Sequence, residues 1–167
     1  MTKQELFNLF NGLQSVSNLS GAKWAYAVAK NMAKLRSEVE ALQKAYVASE
    51  EFVAYENQRL ELAQKYSVKE KGKPKTIKVG GVEEYIIGDR DRFNQEFKKL
   101  QKKHKKAVDE RKKQVDDFNE ILKEEVEIDL HMIDSDYIPE GITPAQVSAI
   151  MLIISEKLDN SSNGKVK

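Results

Sequence analysis

Two histidines, His104 and His131, are the only imidazoles in a 167-residue chain that has no cysteine. A disulfide framework and a thiolate zinc site are thereby excluded. Acid–base or metal chemistry would have to come from these two rings and the carboxylates near them. His131 stands close in sequence to Asp129, Asp134 and Asp136, the only grouping from which a metal site or a hydrolase could be assembled. One imidazole among loop carboxylates is a common accident of composition, and His104 falls on an apolar stripe where packing or a hydrogen bond is its ordinary role. No phosphate loop or nucleophile–base pattern accompanies them. The expectation is a protein that is not an enzyme, with no catalytic, cofactor-binding or metal-binding residue and no cofactor.

Charge is a stronger signal than any titratable pair. Lys98, Lys99, Lys102, Lys103, Lys105 and Lys106 fall within nine residues. From Lys65 to Lys113, 17 Lys and Arg oppose 8 Asp and Glu, in a chain whose formal net charge is only +1. The balance of +9 there leaves about −8 elsewhere, an asymmetry that suits either a polyanion surface or a dipolar rod. Such a run can ride a nucleic-acid backbone. It can equally be a solvated helix face opposed by Glu50, Glu51, Glu56 and Glu61. A further set, Lys69, Lys71, Lys73, Lys75 and Lys78, extends the basic face, although lysines on edge strands also guard against aggregation.

Apolar clusters are the other candidates. Trp24 lies in a stretch that is apolar nearly all round. Val126, Ile128 and Leu130 alternate with polar residues as a half-buried strand does. Met151, Leu152 and Ile153 belong to the longest apolar run, residues 149–154. Together they resemble a protein interface rimmed with charge, or pieces that simply bury one another.

The elements that would position these residues follow from periodicity. Thr2 and Glu5 are in capping-box register for a short helix over residues 2–16, which Gly12 weakens. Residues 22–66 contain neither Gly nor Pro and carry a heptad seam of Met32, Leu35, Val39, Leu42 and Tyr46. That seam meets Ser49 and Glu56, which predicts a drift of the contact face or a break near Ala48 and Ser49. A β-hairpin over 75–88 turns at Gly80-Gly81. A second long helix spans 89–125, with Arg111 and Gln114 where a strict heptad would be apolar. A strand over 126–133 lacks an obvious partner in its own chain, so it would pair with a partner or a second copy, or lie on the helices as extended chain. Thr143, Pro144 and Gln146 start a helix over 143–158, and 159–167 reads as a disordered tail. The expected fold is mainly α: one elongated domain over 1–158, a coiled-coil-like antiparallel helical hairpin with a β-hairpin at its tip, and short helices plus one strand at its base.

Three segments, residues 21–31, 124–130 and 142–146, resemble small bacteriophage and prophage proteins of Gram-positive hosts whose roles are uncharacterised. The resemblance rests on structural rather than chemical motifs. It implies viral origin and carries over no site residue. The helix–β-hairpin–helix order also resembles prefoldin-like chaperone subunits, by architecture alone. The absence of an apolar N-terminal segment or a spanning helix predicts a cytoplasmic protein without a membrane partner. The leading expectation is a non-enzymatic interaction protein that binds a protein partner, as an inhibitor of a host or defence factor or in virion assembly, or that forms a homodimer or higher homo-oligomer. The alternative is a nucleic-acid-binding accessory protein using the basic helix and the basic β tip.

Overall fold

The computed structural model describes residues 1–155. The expected helical residues 156–158 and the tail 159–167 lie outside the described residues. Mainly helical, the chain divides into two compact units. Unit 1 holds residues 1–45 and the chain from Phe118 onward, and unit 2 holds Tyr46–Asp117.

Unit 1 is built on α1 (Lys3–Ser15) and α2 (Ala22–Tyr46). The capping box of Thr2 and Glu5 forms as its spacing requires and fixes the start of α1. Leu6, Leu9, Phe10 and Leu13 of α1 and Trp24, Val28, Leu35 and Val39 of α2 share one core with Ile133, Ile150 and Ile153. Gly12 marks where α6 (Pro144–Ala149) crosses α1: a β-carbon there would lie 2.7 Å from the Ala149 carbonyl oxygen. The residue that weakens the helix by propensity is the one that permits this approach. The helix α6 is fixed by the capping box of Thr143 and Gln146, and the Gln146 amide also donates to Ser15 O at 2.9 Å, near the end of α1.

The helix expected over 143–158 ends at Ala149. A 3-10 turn, Met151–Ile153, follows, and then strand β6 (Ile154–Ser155) pairs in parallel with β5 (Ile133–Asp134). An Ile-rich, β-branched run has no strong helical preference. The tighter turn sends both Ile150 and Ile153 fully into the core, and the next residues take up the open edge of β5.

The strand expected over 126–133 is a ladder strand only at Ile133–Asp134. Upstream it is extended chain, several of whose backbone groups find partners within unit 1. Val126 N–H donates to Met1 O at 2.8 Å, the Met1 ammonium donates to Val126 O at 3.2 Å, and Lys3 N–H donates to Glu124 O at 2.9 Å. Asn31, fully buried on α2, supplies a second strand-like pair: its amide nitrogen donates to His131 O at 2.9 Å and its oxygen accepts from His131 N–H at 2.8 Å. A helix side chain thus does for this segment what a neighbouring strand would do elsewhere.

In unit 2, α3 (Glu50–Lys65) and α4 (Arg90–Lys103) pack together, with α5 (Lys105–Lys123) beginning after His104. The helices expected over 22–66 and 89–125 are therefore each interrupted, the first at residues 47–49 and the second at His104. The first break explains the polar middle of the return helix. Where α2 ends, the Tyr46 and Val47 carbonyls lack helical partners. Arg111 donates to Tyr46 O at 2.7 Å and Gln114 to Val47 O at 2.9 Å, while the Ser49 hydroxyl caps α3 by accepting from Phe52 N–H. The guanidinium of Arg111 also lies 4.3 Å from the centroid of the Tyr46 ring.

Contacts from 65 to 96, from 58 to 103 and from 46 to 111 run in opposite order, so α3 is antiparallel to the return helices. Between them, β3 (Thr76–Val79) and β4 (Val82–Tyr85) form the expected hairpin, with Gly80 and Gly81 both at positive φ as a type I′ turn demands. A second, smaller hairpin, β1 (Lys69–Glu70) with β2 (Lys73–Pro74), turns at Lys71 and Gly72.

Candidate functional site

The seven residues proposed for a protein interface divide sharply. Trp24 and Ile153 are interior: Trp24 packs in the α1–α2 core and its indole N–H donates to Val16 O at 3.3 Å. Val126, Ile128 and Leu130 are half-buried against the same core. Only Met151 and Leu152 remain open, at 54% and 49% exposure. The alternation that marked 126–130 is real, but its apolar side is consumed by the chain's own helices. Trp24 and Ile153 are thus removed from the candidate interface, and the alternating segment is half-buried as its period implies.

What unit 1 presents is a groove of about 540 Å³ between the first turns of α2 and the segment leading into β5. Lys23, Tyr26, His131, Met132, Tyr137 and Ser155 are among its lining residues. Tyr26 is 60% exposed, Met132 48% and Tyr137 42%, a concentration of the side chains that protein interfaces favour. The two tyrosines contact other residues of the lining. The Lys23 ammonium donates to the Tyr137 hydroxyl at 2.6 Å and lies 4.0 Å from its ring centroid. The Tyr26 ring meets His131 edge-on at 5.5 Å between centroids. His131 is itself fixed through its backbone by Asn31. Sequence patterning missed this groove because Tyr26 and Tyr137 are far apart in the chain and Met132 falls at the end of an alternating run.

Of the His131–aspartate grouping, His131 and Asp134 line the groove, and Asp129 is engaged by Lys34. The Asp129 carboxylate accepts from Lys34 at 2.8 Å, and Lys34 also donates to Asp129 O. That hydrogen bond and the charge of Lys34 hold the Asp129 carboxyl below its ordinary range. Among the described residues no group of three or more His, Asp or Glu side chains could hold a metal ion. His104 is half-buried in unit 2, 3.4 Å from Gln58 Oε1 and with its ring centroid 5.9 Å from that of Tyr55. Packing and hydrogen bonding account for it.

All six lysines of the basic run are exposed on α4 and α5. Among the described residues none of them forms a salt bridge with a glutamate of α3, although Glu61 lines a groove with Lys99 and Lys103. Glu56 is held by Arg59 of its own helix, whose guanidinium makes three hydrogen bonds to the carboxylate at 2.8–3.2 Å. Lys103 reaches the neutral Gln58 at 3.1 Å. Glu96, on the return helix itself, accepts from Tyr66 at 2.8 Å and from Lys65 at 3.1 Å. These two bonds, the tyrosine's first, hold its carboxyl below the usual range. Lys105 and Lys106 pair along their own helix with Asp109 and Glu110. Among the described residues Lys98, Lys99 and Lys102 form no salt bridge.

No helix among the described residues is long and apolar enough to cross a membrane. No family model, curated protein or solved structure matches the chain.

Proposed function

We propose that this chain is a non-enzymatic, phage-type interaction protein that acts in the bacterial cytoplasm by binding a protein partner through the unit 1 groove. The observation that carries this reading is the convergence of Tyr26, Met132 and Tyr137, three large exposed side chains, on one concave surface whose backing residues are fixed by hydrogen bonds. Aromatic and Met side chains supply contact area, and holding them before binding reduces the ordering cost that weakens association. Inhibition of a host or defence factor and a part in virion assembly both fit such a surface. So does self-association, with a second copy as the partner. The phage assignment is supported by the resemblance of residues 21–31, 124–130 and 142–146. The reading also keeps the elongated hairpin with a β tip as the scaffold, supported by the opposed order of contacts over 46–111 in unit 2.

The test is photo-crosslinking from p-benzoylphenylalanine placed at position 137, in bacterial cells, with and without Tyr26→Asp and Met132→Asp. One discrete protein adduct is expected, and both substitutions together should remove it while the far-ultraviolet circular dichroism stays unchanged. A complete lack of protein adducts, or an adduct indifferent to the two substitutions, would defeat the proposal.

A further inference from the structure

We infer that unit 2 carries a second and separate binding surface, directed at the phosphate backbone of duplex nucleic acid and made by the lysines of α4 and α5. The spacing supplies the geometry. Lys98, Lys102, Lys105 and Lys112 recur four, three and seven residues apart, as do Lys99, Lys103, Lys106 and Lys113, so two parallel lanes of ammonium groups lie along the helices. Each lane spans 15 residues and crosses the interruption at His104; its 14 steps come to about 21 Å at helical rise. Over such a length each strand of a duplex offers roughly six phosphates, at about 3.4 Å per charge.

The structure adds what spacing alone leaves open, namely that among the described residues no salt bridge joins a lane lysine to a carboxylate of α3, although Glu61 lines the same groove as Lys99 and Lys103. Glu56 is held by Arg59, Glu96 by Tyr66 and Lys65, and the side chain opposite Lys103 is an uncharged glutamine. Asp109 and Glu110 take Lys105 and Lys106 in exposed pairs along the same helix, and exposed pairs of that kind give way readily to a stronger anion. Unit 2 as a whole has 18 Lys and Arg against 14 Asp and Glu, so long-range attraction to a polyanion survives.

Two further observations choose among polyanions. The lanes contain no aromatic side chain, so there is no stacking platform for unpaired bases, and contact is with backbone phosphate regardless of sequence. The apolar stripe of α4 is turned towards α3, where Leu100 and Leu62 line a groove that Lys99, Lys103 and Glu61 also line, so the apolar side chains beside the lanes are shared with α3 rather than offered to a lipid surface.

The experiment is fluorescence anisotropy of a labelled 20-base-pair duplex of arbitrary sequence with the full chain, titrated at several KCl concentrations. Affinity should fall steeply with salt, with log Kd against log[KCl] rising by about 4 to 5 if five of the lysines engage. Replacing Lys98, Lys99, Lys102 and Lys103 by Gln should lower that slope by about 3 to 4, since each lost phosphate contact removes about 0.9. The crosslink from position 137 should be untouched by the same four changes, which separates this surface from the groove. No binding at 50 mM KCl would overturn the inference, as would a slope unaltered by the four substitutions in a protein of unchanged circular dichroism. Binding to vesicles rich in phosphatidylserine without binding to the duplex would overturn it in favour of a membrane.

Discussion

Unit 1 and unit 2 are made of similar helices but are held together in different ways. In unit 1, α1 and α2 bury Leu6, Leu9, Leu13, Trp24 and Leu35 almost completely, and a buried asparagine fastens the extended chain to them. In unit 2, α4 has no buried residue at all, α3 buries only Tyr55 and Ala63, and α5 buries only Ala107. Its connections are polar and mostly exposed: Lys65 to Glu96, Lys103 to Gln58, Arg111 to Tyr46 O, Gln114 to Val47 O. Burial dominates helix stability in folded proteins, whereas exposed ion pairs contribute little each. A dense core allows rigid display of aromatic side chains, as at Tyr26 and Tyr137. A thin, lysine-covered helix pair offers charge and little shape.

This contrast can be broken most directly at Trp24. Trp24→Ala should destabilise unit 1 by about 3–5 kcal/mol, from lost burial and the cavity left behind, measured by urea denaturation. The loss should appear as faster amide exchange in α1 and α2. Equal acceleration in α3 and α4 would mean the units do not differ as described. Asn31→Leu comes next. It removes both bonds to the His131 backbone inside a buried site and should cost about 1–3 kcal/mol, with the His131 amide losing protection. Gly12→Ala should cost about 1–3 kcal/mol through overpacking against Ala149, despite alanine's better helical propensity. A stabilised Gly12→Ala variant would show that the close crossing of α1 and α6 is wrong.

Smaller effects are expected in unit 2. Arg111→Ala frees the Tyr46 carbonyl, but at a partly exposed site, so about 1 kcal/mol or less should be lost by denaturant titration. The main readout is faster exchange around residues 46–49. The smallest effect concerns pH. The Asp129 and Glu96 carboxyls are both held below their ordinary values, Asp129 by Lys34, and Glu96 by Tyr66 and then Lys65. A lowered carboxyl contributes stability that is full above the ordinary carboxylate range and is lost as pH falls through the depressed value. Melting temperature should therefore decline slightly below about pH 4, and less so in Asp129→Asn and Glu96→Gln. Both groups are exposed, so a decline absent in each single variant would assign them too much.

Much of this was legible from local sequence, and the reasons for success and failure are physical. The capping boxes at Thr2 and Thr143, the Gly80-Gly81 turn and the apolar stripes of α1 and α2 are local rules, and local rules hold where no tertiary contact opposes them. The interruption at Ala48 and Ser49 was visible as a failing heptad seam. The polar residues Arg111 and Gln114 were visible as departures from the heptad, but not the Tyr46 and Val47 carbonyls to which they donate. For the segment 126–132 a period of two predicts an extended chain, paired with a partner or lying on the helices, but not that Asn31 and the residues around Met1 would take the place of a strand partner. For Trp24 and Ile153 composition leaves interface and mutual burial open, because it cannot say which apolar patches bury each other; in the fold both are buried. The groove joins residues 23, 26, 132 and 137, a juxtaposition that exists only once α2 and β5 are packed.

Amide hydrogen exchange on the full chain near neutral pH tests the central contrast most directly. The amides of α1 and of residues 24–39 in α2 should be the slowest in the molecule, exchanging only through global opening, while those of α4 open locally and exchange at least about 100-fold faster. Protection of α4 equal to or greater than that of α1 would contradict the account, because it would mean that the polar, lysine-covered pair is held as firmly as the buried core.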